Sequence, residues 1–264
     1  MLTPVVQRWR DRRGTYRPAG EVIVTSHYEV VAALGWRAIR HFIQTEHYSG
    51  SVCQCSRGFE LRGAGGVLVG AAMFGVVSRQ YRPHFGEKPA WLNLGRFVLA
   101  DNVPGNGETW FLGRCFEQLR AEGFAGVVSY SDPVARPDRS GRIVFAGHIG
   151  TIYQGHNGVF LGKSKPETKW LLPDGTVFES RAGNKVKAGD EGHGYAERLL
   201  RSHGAPAIEP GEDPAAWVAR EKRELCRPFK HTGNLRYAWA LGRRDRRHLP
   251  ASLPYPKFTM GEAA

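Results

Sequence analysis

A strand–helix–strand pattern in the middle of the chain limits the possible folds more than any other feature. Residues 90–100, AWLNLGRFVLA, form an apolar run that predicts a strand. A loop rich in proline and glycine follows, then a helical segment that ends at a glycine. Residues 124–132, FAGVVSYSD, predict the next strand. This order implies two neighbouring strands joined by a crossover helix.

The segments on both sides of this unit predict further strands and helices. Apolar residues at helical spacing over 26–48 predict one or two helices, with Ser26 as the N-terminal cap. Residues 59–78 predict two strands joined by a hairpin at GAGG. More strands are predicted over 148–162, 169–180 and 234–242, helical pieces over 194–204 and 213–225, and a turn at Asp174 and Gly175. The sequence therefore predicts a mixed α/β or α+β fold.

The charge of the chain predicts a polyanionic partner, with nucleic acid first among the candidates. Lysine and arginine outnumber aspartate and glutamate by 37 to 25, which gives a formal net charge of +12. The alternative is a basic protein that is merely soluble. Two arginine clusters stand out, one in a basic, weakly structured N-terminal arm over 1–20 and one near the C-terminus. They comprise Arg8, Arg10, Arg12, Arg13, Arg243, Arg244, Arg246 and Arg247.

Other sequence features argue against a membrane or a disulfide-stabilised protein. The chain has no run of about 18 apolar residues, and its start has no apolar segment typical of a signal peptide. We therefore expect a cytoplasmic protein whose four cysteines are reduced. Cys53 and Cys55 form a C-x-C pair without a second pair, so two small residues near a strand fit better than a zinc site.

A glycine-rich loop precedes the crossover helix. Gly105, Asn106 and Gly107 lie where backbone N–H groups are unpaired and the helix dipole is positive, so a diphosphate could bind there. An ordinary helix-entry loop is the alternative. The loop lacks the lysine of a Walker motif, so nucleoside triphosphate hydrolysis is not expected.

Several polar residues could carry chemistry, each with a simpler alternative. His47 and Tyr48 could act as a base or as metal ligands, or they could be a polar pair at a helix end. Arg96 lies within an apolar strand and either faces solvent or meets an anion. Ser129 and Asp132 lie at the C-terminal end of a strand, where α/β proteins place ligands.

Five segments resemble, in order, the phage-type Mom DNA-modification proteins, which are similar to the GNAT acyltransferases. The segments are HYSGS (47–51), LGRFVLADNVPGNGETWFLGRC (94–115), VVSYSDP (127–133), GHIGTIYQGHN (147–157) and LRYAWALGRRDRRHLP…PYPK (235–257). The resemblance implies a GNAT-like mixed central sheet flanked by helices, in one catalytic domain over 21–257. A basic arm over 1–20 and a tail over 258–264 would flank that domain.

The resemblance implies an enzyme that converts the N6 amino group of adenine to a carbamoylmethyl (acetamido) amine and so shields phage DNA from host restriction. It further implies double-stranded DNA as partner, acetyl-CoA or a related acyl-CoA as cofactor, and iron as an optional metal. The implied catalytic residues are His47, Tyr48, Arg96, Ser129, Asp132 and Tyr153, of which His47, Tyr48, Asp132 and Tyr153 would form a metal site that suits iron better than zinc. The implied cofactor-binding residues are Leu99, Gly105, Asn106, Gly107 and Glu108.

The chain departs from the family at residues 134–146, VARPDRSGRIVFA, which are inserted between two matching motifs. The insert could be a flap or a DNA contact. The predicted DNA-binding residues are Arg136, Arg139, Arg142, Arg243, Arg244, Arg246 and Arg247. Two other functions stay open: a GNAT-like N-acyltransferase that uses acyl-CoA on another amine, and a non-catalytic basic DNA-binding protein. The sequence leaves the oligomeric state open, including a dimer.

Overall fold

The computed structural model describes residues 5–11, 13–18, 20–77, 91–190 and 193–257. These residues form two compact units. The first unit draws on Met1–Pro133, His148–Ser164 and Asn234–Ala264, and the second on Val134–Gly147 and Lys165–Gly233. The predicted insert 134–146 lies in the second unit together with the long segment after Ser164. Arg12 and the predicted tail over 258–264 lie outside the described residues, and the predicted division into domains stays a prediction.

The first unit holds three helices and nine strands within the described residues. The helices are α1 (Trp36–Glu46), α2 (Gly107–Ala121) and α3 (Thr151–Gly155). The strands are β1 (Val5–Arg10), β2 (Arg13–Pro18), β3 (Glu29–Ala32), β4 (Arg57–Arg62), β5 (Leu68–Val76), β6 (Trp91–Leu99), β7 (Gly126–Ser131), β10 (Val159–Lys163) and β13 (Leu235–Ala240).

Seven of these strands form one mixed sheet. The spatial order is β10-β13-β7-β6-β5-β4-β3. Strands β6 and β7 are parallel, and every other neighbouring pair is antiparallel. Helix α2 connects β6 to β7, as the strand–helix–strand pattern predicts. The predicted fold class, a mixed sheet flanked by helices, is confirmed.

The core of this unit lies between the sheet and α2. Phe111, Leu112, Cys115 and Leu119 of α2 are fully buried, at the spacing of one apolar helix face. Strand β5 is buried from Val69 to Gly75 because it lies between two other strands and is covered on both faces.

Three local predictions are wrong, two of them because the segments pair as strands. The N-terminal arm, expected to be weakly structured, is an antiparallel hairpin of β1 and β2. The helix predicted over 26–48 begins only at Trp36; β3 forms earlier and pairs with β4, and Ser26 makes no capping hydrogen bond. Part of the strand predicted over 148–162 is the short helix α3. In the hairpin and in β3, pairing with a neighbouring strand outweighs the local propensity of the segment.

The second unit is built from helices and short hairpins. Its elements are β8 (Arg136–Pro137), β9 (Ile143–Phe145), β11 (Glu167–Leu171), α4 (Ser180–Ala188), α5 (Gly194–Arg201), α6 (Pro214–Leu225) and β12 (Arg227–His231). The side chain of Asp213 caps α6 by accepting hydrogen bonds from the N–H groups of Ala215 and Ala216. The predicted turn at Asp174 and Gly175 forms, with Gly175 at φ 82°.

The fully buried Trp217 and Leu200 belong to a separate core within the second unit. Among the described residues of both units, no helix is long and apolar enough to cross a membrane.

Candidate active site

The two parallel strands separate in the middle of the sheet. Their ladder runs from the pair Trp91 and Gly126 to the pair Leu94 and Ser129. Beyond that point β6 continues against β5, and β7 continues against β13. The carboxyl ends of parallel strands are where such sheets commonly place ligands. The separation therefore marks the position of a candidate site.

A cleft lies at this separation, within the first unit. Its cavity volume is about 60 Å³, and it is partly open to solvent. Its lining includes Arg8, Trp9, His47, Tyr48, Gly95, Leu99, Glu108, Tyr130, His148 and Tyr153. The structure thus brings together His47, Tyr48, Tyr153, Leu99 and Glu108 of the predicted site residues.

Aromatic rings dominate one part of the cleft. Tyr48 is the centre of the group: its ring centroid lies 4.7 Å from that of Trp9, 4.2 Å from that of His47 and 5.6 Å from that of His148. Trp9 and His148 lie 6.3 Å apart with their planes at 74°. We call Trp9, His47, Tyr48 and His148 the aromatic cluster. Flat rings of this kind can stack on a flat heterocyclic ligand.

The His47 ring is neutral and has a defined tautomer. Its Nδ1 accepts a hydrogen bond from the backbone N–H of Ser49 at 3.1 Å, so the ring proton belongs on Nε2. Burial lowers the pKa of His47 well below its usual value, and the charges of Arg96 and His148 lower it further. His47 can therefore donate a hydrogen bond from Nε2, and it is a poor proton acceptor in this state.

Arg96 supports the loop that carries His47 and Tyr48. Its Nε donates to the carbonyl of Ser51 at 2.7 Å and its Nη2 to the Ser51 hydroxyl at 3.0 Å. A third bond goes to the carbonyl of Gly95. These hydrogen bonds hold the loop after α1, and the predicted catalytic role of Arg96 stays a prediction.

Ser129 and Tyr153 meet beneath the cleft. Ser129 is fully buried, and its hydroxyl donates to the carbonyl of Leu94 at 3.0 Å, at the point where the strands separate. Burial raises the pKa of Tyr153, and a hydrogen bond with Ser129 opposes that rise. Asp132 follows β7, and its carbonyl accepts from the N–H of His148 at 2.7 Å. The backbone thereby ties Asp132 to the aromatic cluster, although its side chain is not part of the cleft lining.

These residues do not fit the predicted metal site. Within the described ranges, no group of three or more His, Cys, Asp or Glu side chains is placed to hold a metal ion. The Nδ1 lone pair of His47 is already used by Ser49, and burial disfavours the phenolate of Tyr153. Of the four predicted ligands, His47 and Tyr153 are therefore poorly prepared to bind iron.

The glycine-rich loop binds the N-terminal segment of the chain itself. The N–H of Gly105 donates to the carboxylate of Glu21 at 2.9 Å, and the side-chain oxygen of Asn106 accepts from the N–H of Ile23 at 2.6 Å. A Cβ at Gly105 would lie 2.5 Å from the carbonyl oxygen of Pro18. The loop needs glycine there because the backbone of the N-terminal segment approaches closely.

Glu108, predicted to bind the cofactor, forms a buried ion pair with Arg8. One bond joins the Arg8 Nη2 to the Glu108 Oε2 at 2.9 Å and a second joins Nε to Oε1. Burial raises the pKa of Glu108, and the guanidinium opposes this rise. Leu99 is buried in the core beside them. The predicted cofactor-binding residues Gly105, Asn106 and Glu108 therefore form hydrogen bonds with the N-terminal segment of the protein.

Arg8 of the N-terminal arginine cluster and Arg136 of the predicted DNA-binding residues are both buried. Arg8 has 2% of its surface exposed, and Arg136 has 8% exposed, with its guanidinium 3.9 Å from the centre of the Phe145 ring. Neither can reach a phosphate without leaving its position. The other described arginines of the two clusters and of the insert are exposed: Arg10, Arg13, Arg139, Arg142, Arg243, Arg244, Arg246 and Arg247.

Sequence reasoning missed Trp9 and His148 as site residues. His148 lies within the motif GHIGTIYQ, so its motif offered a signal. Trp9 lies in the basic stretch RWRDRR, whose composition predicts phosphate binding and not a position in a cleft. No local pattern marks Trp9, because its position depends on the distant contacts of its neighbour Arg8.

The model of the Mom protein family matches residues 27–257 of the chain. No curated protein sequence matches this chain significantly. The hairpin of β1 and β2 lies before the first matched residue.

Solved structures of acetyltransferases are among the matches. YhbS, a GNAT family N-acetyltransferase from Escherichia coli in complex with CoA, matches at 17% identity and a TM-score of 0.33 over 40% of this chain, which spans 64% of that protein's length. Nourseothricin acetyltransferase matches at 11% identity and a TM-score of 0.31, covering 92% of this chain and 87% of the other. A tandem GNAT protein from the clavulanic acid biosynthesis pathway, without acetyl-CoA, matches at 9% identity and a TM-score of 0.37, covering 70% and 83%.

Proposed function

The chain belongs to the Mom protein family, and from this we propose that it is a DNA-modifying transferase that converts the N6 amino group of adenine to a carbamoylmethyl amine. The observation that carries the proposal is the aromatic cluster at the separation of β6 and β7. Trp9 and Tyr48 supply flat rings there, and the ring Nε2 of His47 supplies a hydrogen-bond donor. This combination suits a nucleobase.

The adenine must leave the DNA stack before its N6 can be reached. Enzymes that act on a base extrude it into a pocket and hold it there by stacking and by hydrogen bonds to its edge. The neutral His47 can donate to a ring nitrogen of the base, and Arg96 keeps the His47–Ser51 loop in place. The basic surface residues, Arg243 and Arg244 among them, would hold the phosphates.

The transfer joins N6 to a methylene carbon, so it differs from ordinary acyl transfer. N6 loses one proton, a bond forms between N6 and the methylene carbon, and the bond between that carbon and the donor breaks. The Asp132 carboxylate, whose backbone is hydrogen-bonded to His148 of the aromatic cluster, is the proton acceptor in this proposal. The donor is a carbamoylmethyl compound with a leaving group on its methylene carbon, and that group departs with the electron pair of the broken bond. Acetyl-CoA or a related acyl-CoA is the cofactor that the resemblance implies, and the product would shield phage DNA in the cytoplasm of the host.

The proposal is tested by the nucleosides of host DNA. DNA from cells that express the wild-type chain is digested and analysed by mass spectrometry, beside DNA from cells that express Tyr48→Ala, Tyr48→Phe or Asp132→Ala. We expect N6-carbamoylmethyl deoxyadenosine with the wild type, less with Tyr48→Ala than with Tyr48→Phe, and none with Asp132→Ala.

Tyr16→Ala is the matched control for this experiment, because Tyr16 is 58% exposed on β2 and does not line the cleft. It should behave like the wild type. Unmodified adenine in all samples would contradict the proposal. Acyl-CoA turnover without a DNA product would instead favour an N-acyltransferase that acts on another amine.

A further inference from the structure

The geometry points to Trp9 as a specificity-determining residue: we infer that its indole, together with Tyr48 and His148, forms the wall against which the extruded adenine stacks. The inference rests on the proposed function and extends it to a part of the chain before the family match, which begins at residue 27.

Trp9 reaches the cleft because the N-terminal residues form a hairpin. Strand β1 pairs with β2 through Trp9 and Gly14, and the indole turns towards Tyr48 and His148. Trp9 is 9% exposed, and it lines the cleft. A large aromatic residue in this position adds to the cleft a wall that the matched residues alone would not supply.

Arg8 fixes the position of that wall. Besides its ion pair with Glu108, its guanidinium donates to the carbonyl of Ala100 at 2.9 Å and to that of Pro104 at 2.8 Å. These bonds hold β1 on the loop before α2. Since Trp9 follows Arg8 directly in the strand, its ring has little freedom to leave the cleft. Arg8 is thus a positioning residue for Trp9.

The chemistry of the wall selects a flat, neutral heterocycle. Arg8 and Glu108 line the cleft, but each is paired with the other, so the Arg8 guanidinium is not available to an anionic ligand. Indole, phenol and imidazole rings remain as contact surfaces. Stacking increases with the overlap of ring areas, so a purine gains more from an indole than a smaller pyrimidine does. Adenine is the purine that the proposed function supplies.

A thermodynamic cycle between the indole and the base tests the inference. Two DNA duplexes are compared, one with adenine at a position found to be modified in cellular DNA, and one with an abasic tetrahydrofuran nucleotide at that position. Dissociation constants are measured for the wild type, Trp9→Ala, Trp9→Phe and Tyr16→Ala. The cost of unpairing the adenine is the same for each protein, so it cancels when the ratios of the two constants are compared.

We expect Trp9→Ala to weaken binding of the adenine duplex relative to the abasic duplex by on the order of tenfold. Trp9→Phe should retain most of the wild-type ratio, and Tyr16→Ala should retain all of it. Circular dichroism establishes that each variant is folded. If Trp9→Ala does not fold, Trp9→Leu replaces it, because leucine fills apolar space without a ring to stack on.

Two negative outcomes are distinguishable. A folded Trp9→Ala or Trp9→Leu variant with the wild-type ratio overturns the role of Trp9, and the proposed function stands if the wild type still modifies adenine. A wild type that produces no modified adenine overturns both, since the stacking wall would then have no adenine to select.

Discussion

Arg8 and Glu108 form an ion pair between two buried side chains, with exposures of 1% and 4%, that joins residues 100 positions apart in the chain. The guanidinium also donates to backbone carbonyls of the loop before α2. The pair therefore links the N-terminal hairpin, which carries Trp9, to the helix that connects β6 and β7.

Removing one partner of this pair should strongly destabilise the protein. Arg8→Met leaves the Glu108 carboxylate buried without its partner, and we expect the free energy of unfolding to fall by about 3–5 kcal/mol. Urea denaturation measures the change. Arg10→Met, at an exposed position on the same strand, is the control and should be nearly neutral. The double variant Arg8→Met/Glu108→Leu should recover part of the loss, and a double variant less stable than Arg8→Met would contradict this account.

The pH dependence of stability should reveal the buried His47. Its pKa in the folded state lies well below the unfolded value of 6.5, so below pH 6.5 the unfolded state binds more protons. The stability present above pH 6.5 is therefore lost as the pH falls, by at most about 1.4 kcal/mol per pH unit for one proton.

His47→Asn should reduce this pH dependence, because an amide oxygen can still accept from Ser49 but does not titrate in this range. Part of the dependence will remain, because burial also lowers the pKa of His156. The exposed His27→Asn variant serves as the control. Equal pH profiles for the wild type and His47→Asn would refute the conclusion that the buried His47 causes this loss of stability.

The Glu21 carboxylate should compete with anions for the glycine-rich loop. It accepts from the N–H of Gly105, and its hydrogen bond to Arg17 lowers the pKa of Glu21, which keeps it ionised at neutral pH. Glu21→Ala frees the N–H and removes a negative charge, so we expect coenzyme A to bind more tightly in calorimetric titrations. Glu29→Ala, exposed on β3, is the matched control. Unchanged or weaker binding by Glu21→Ala would show that coenzyme A makes no use of this loop.

The exposed arginines after β13 should set the salt dependence of DNA binding. A variant with glutamine at Arg243, Arg244, Arg246 and Arg247 should bind DNA more weakly, and the slope of log K against log salt should fall by roughly 0.9 for each arginine that contacts a phosphate. The charge-matched control carries glutamine at four exposed cations of the second unit, Arg181, Lys187, Arg198 and Arg223. Equal losses in both variants would indicate a general charge effect rather than a local contact.

The strand–helix–strand unit was predictable because its signals are local. The apolar run over 90–100, the helix after the glycine-rich loop and the strand ending at Ser131 each follow from their own residues. The matching motifs also placed His47, Tyr48 and Tyr153 in one site, and the structure brings these three residues to one cleft.

The contacts of the N-terminal segment could not be predicted in this way. Arg8 belongs to a stretch whose composition is typical of a phosphate-binding arm, yet its partner Glu108 is distant in sequence. Gly105 precedes a helix, as an anion site requires, but the anion is the carboxylate of Glu21. Local patterns predict what a group can bind, whereas the fold decides which partner it meets.

The second unit interrupts the first at two places, and hydrogen bonds of the first unit close both. The N–H of His148 donates to the carbonyl of Asp132 at 2.7 Å, and the N–H of Ser164 donates to the carbonyl of Asn234 at 2.8 Å. Residues 134–147 and residues 165–233, which form the second unit, therefore each begin and end next to residues of the first unit that are close in space. Because each of these segments is closed at its base, a change in its length would leave the strand register, and with it the cleft between β6 and β7, unaltered.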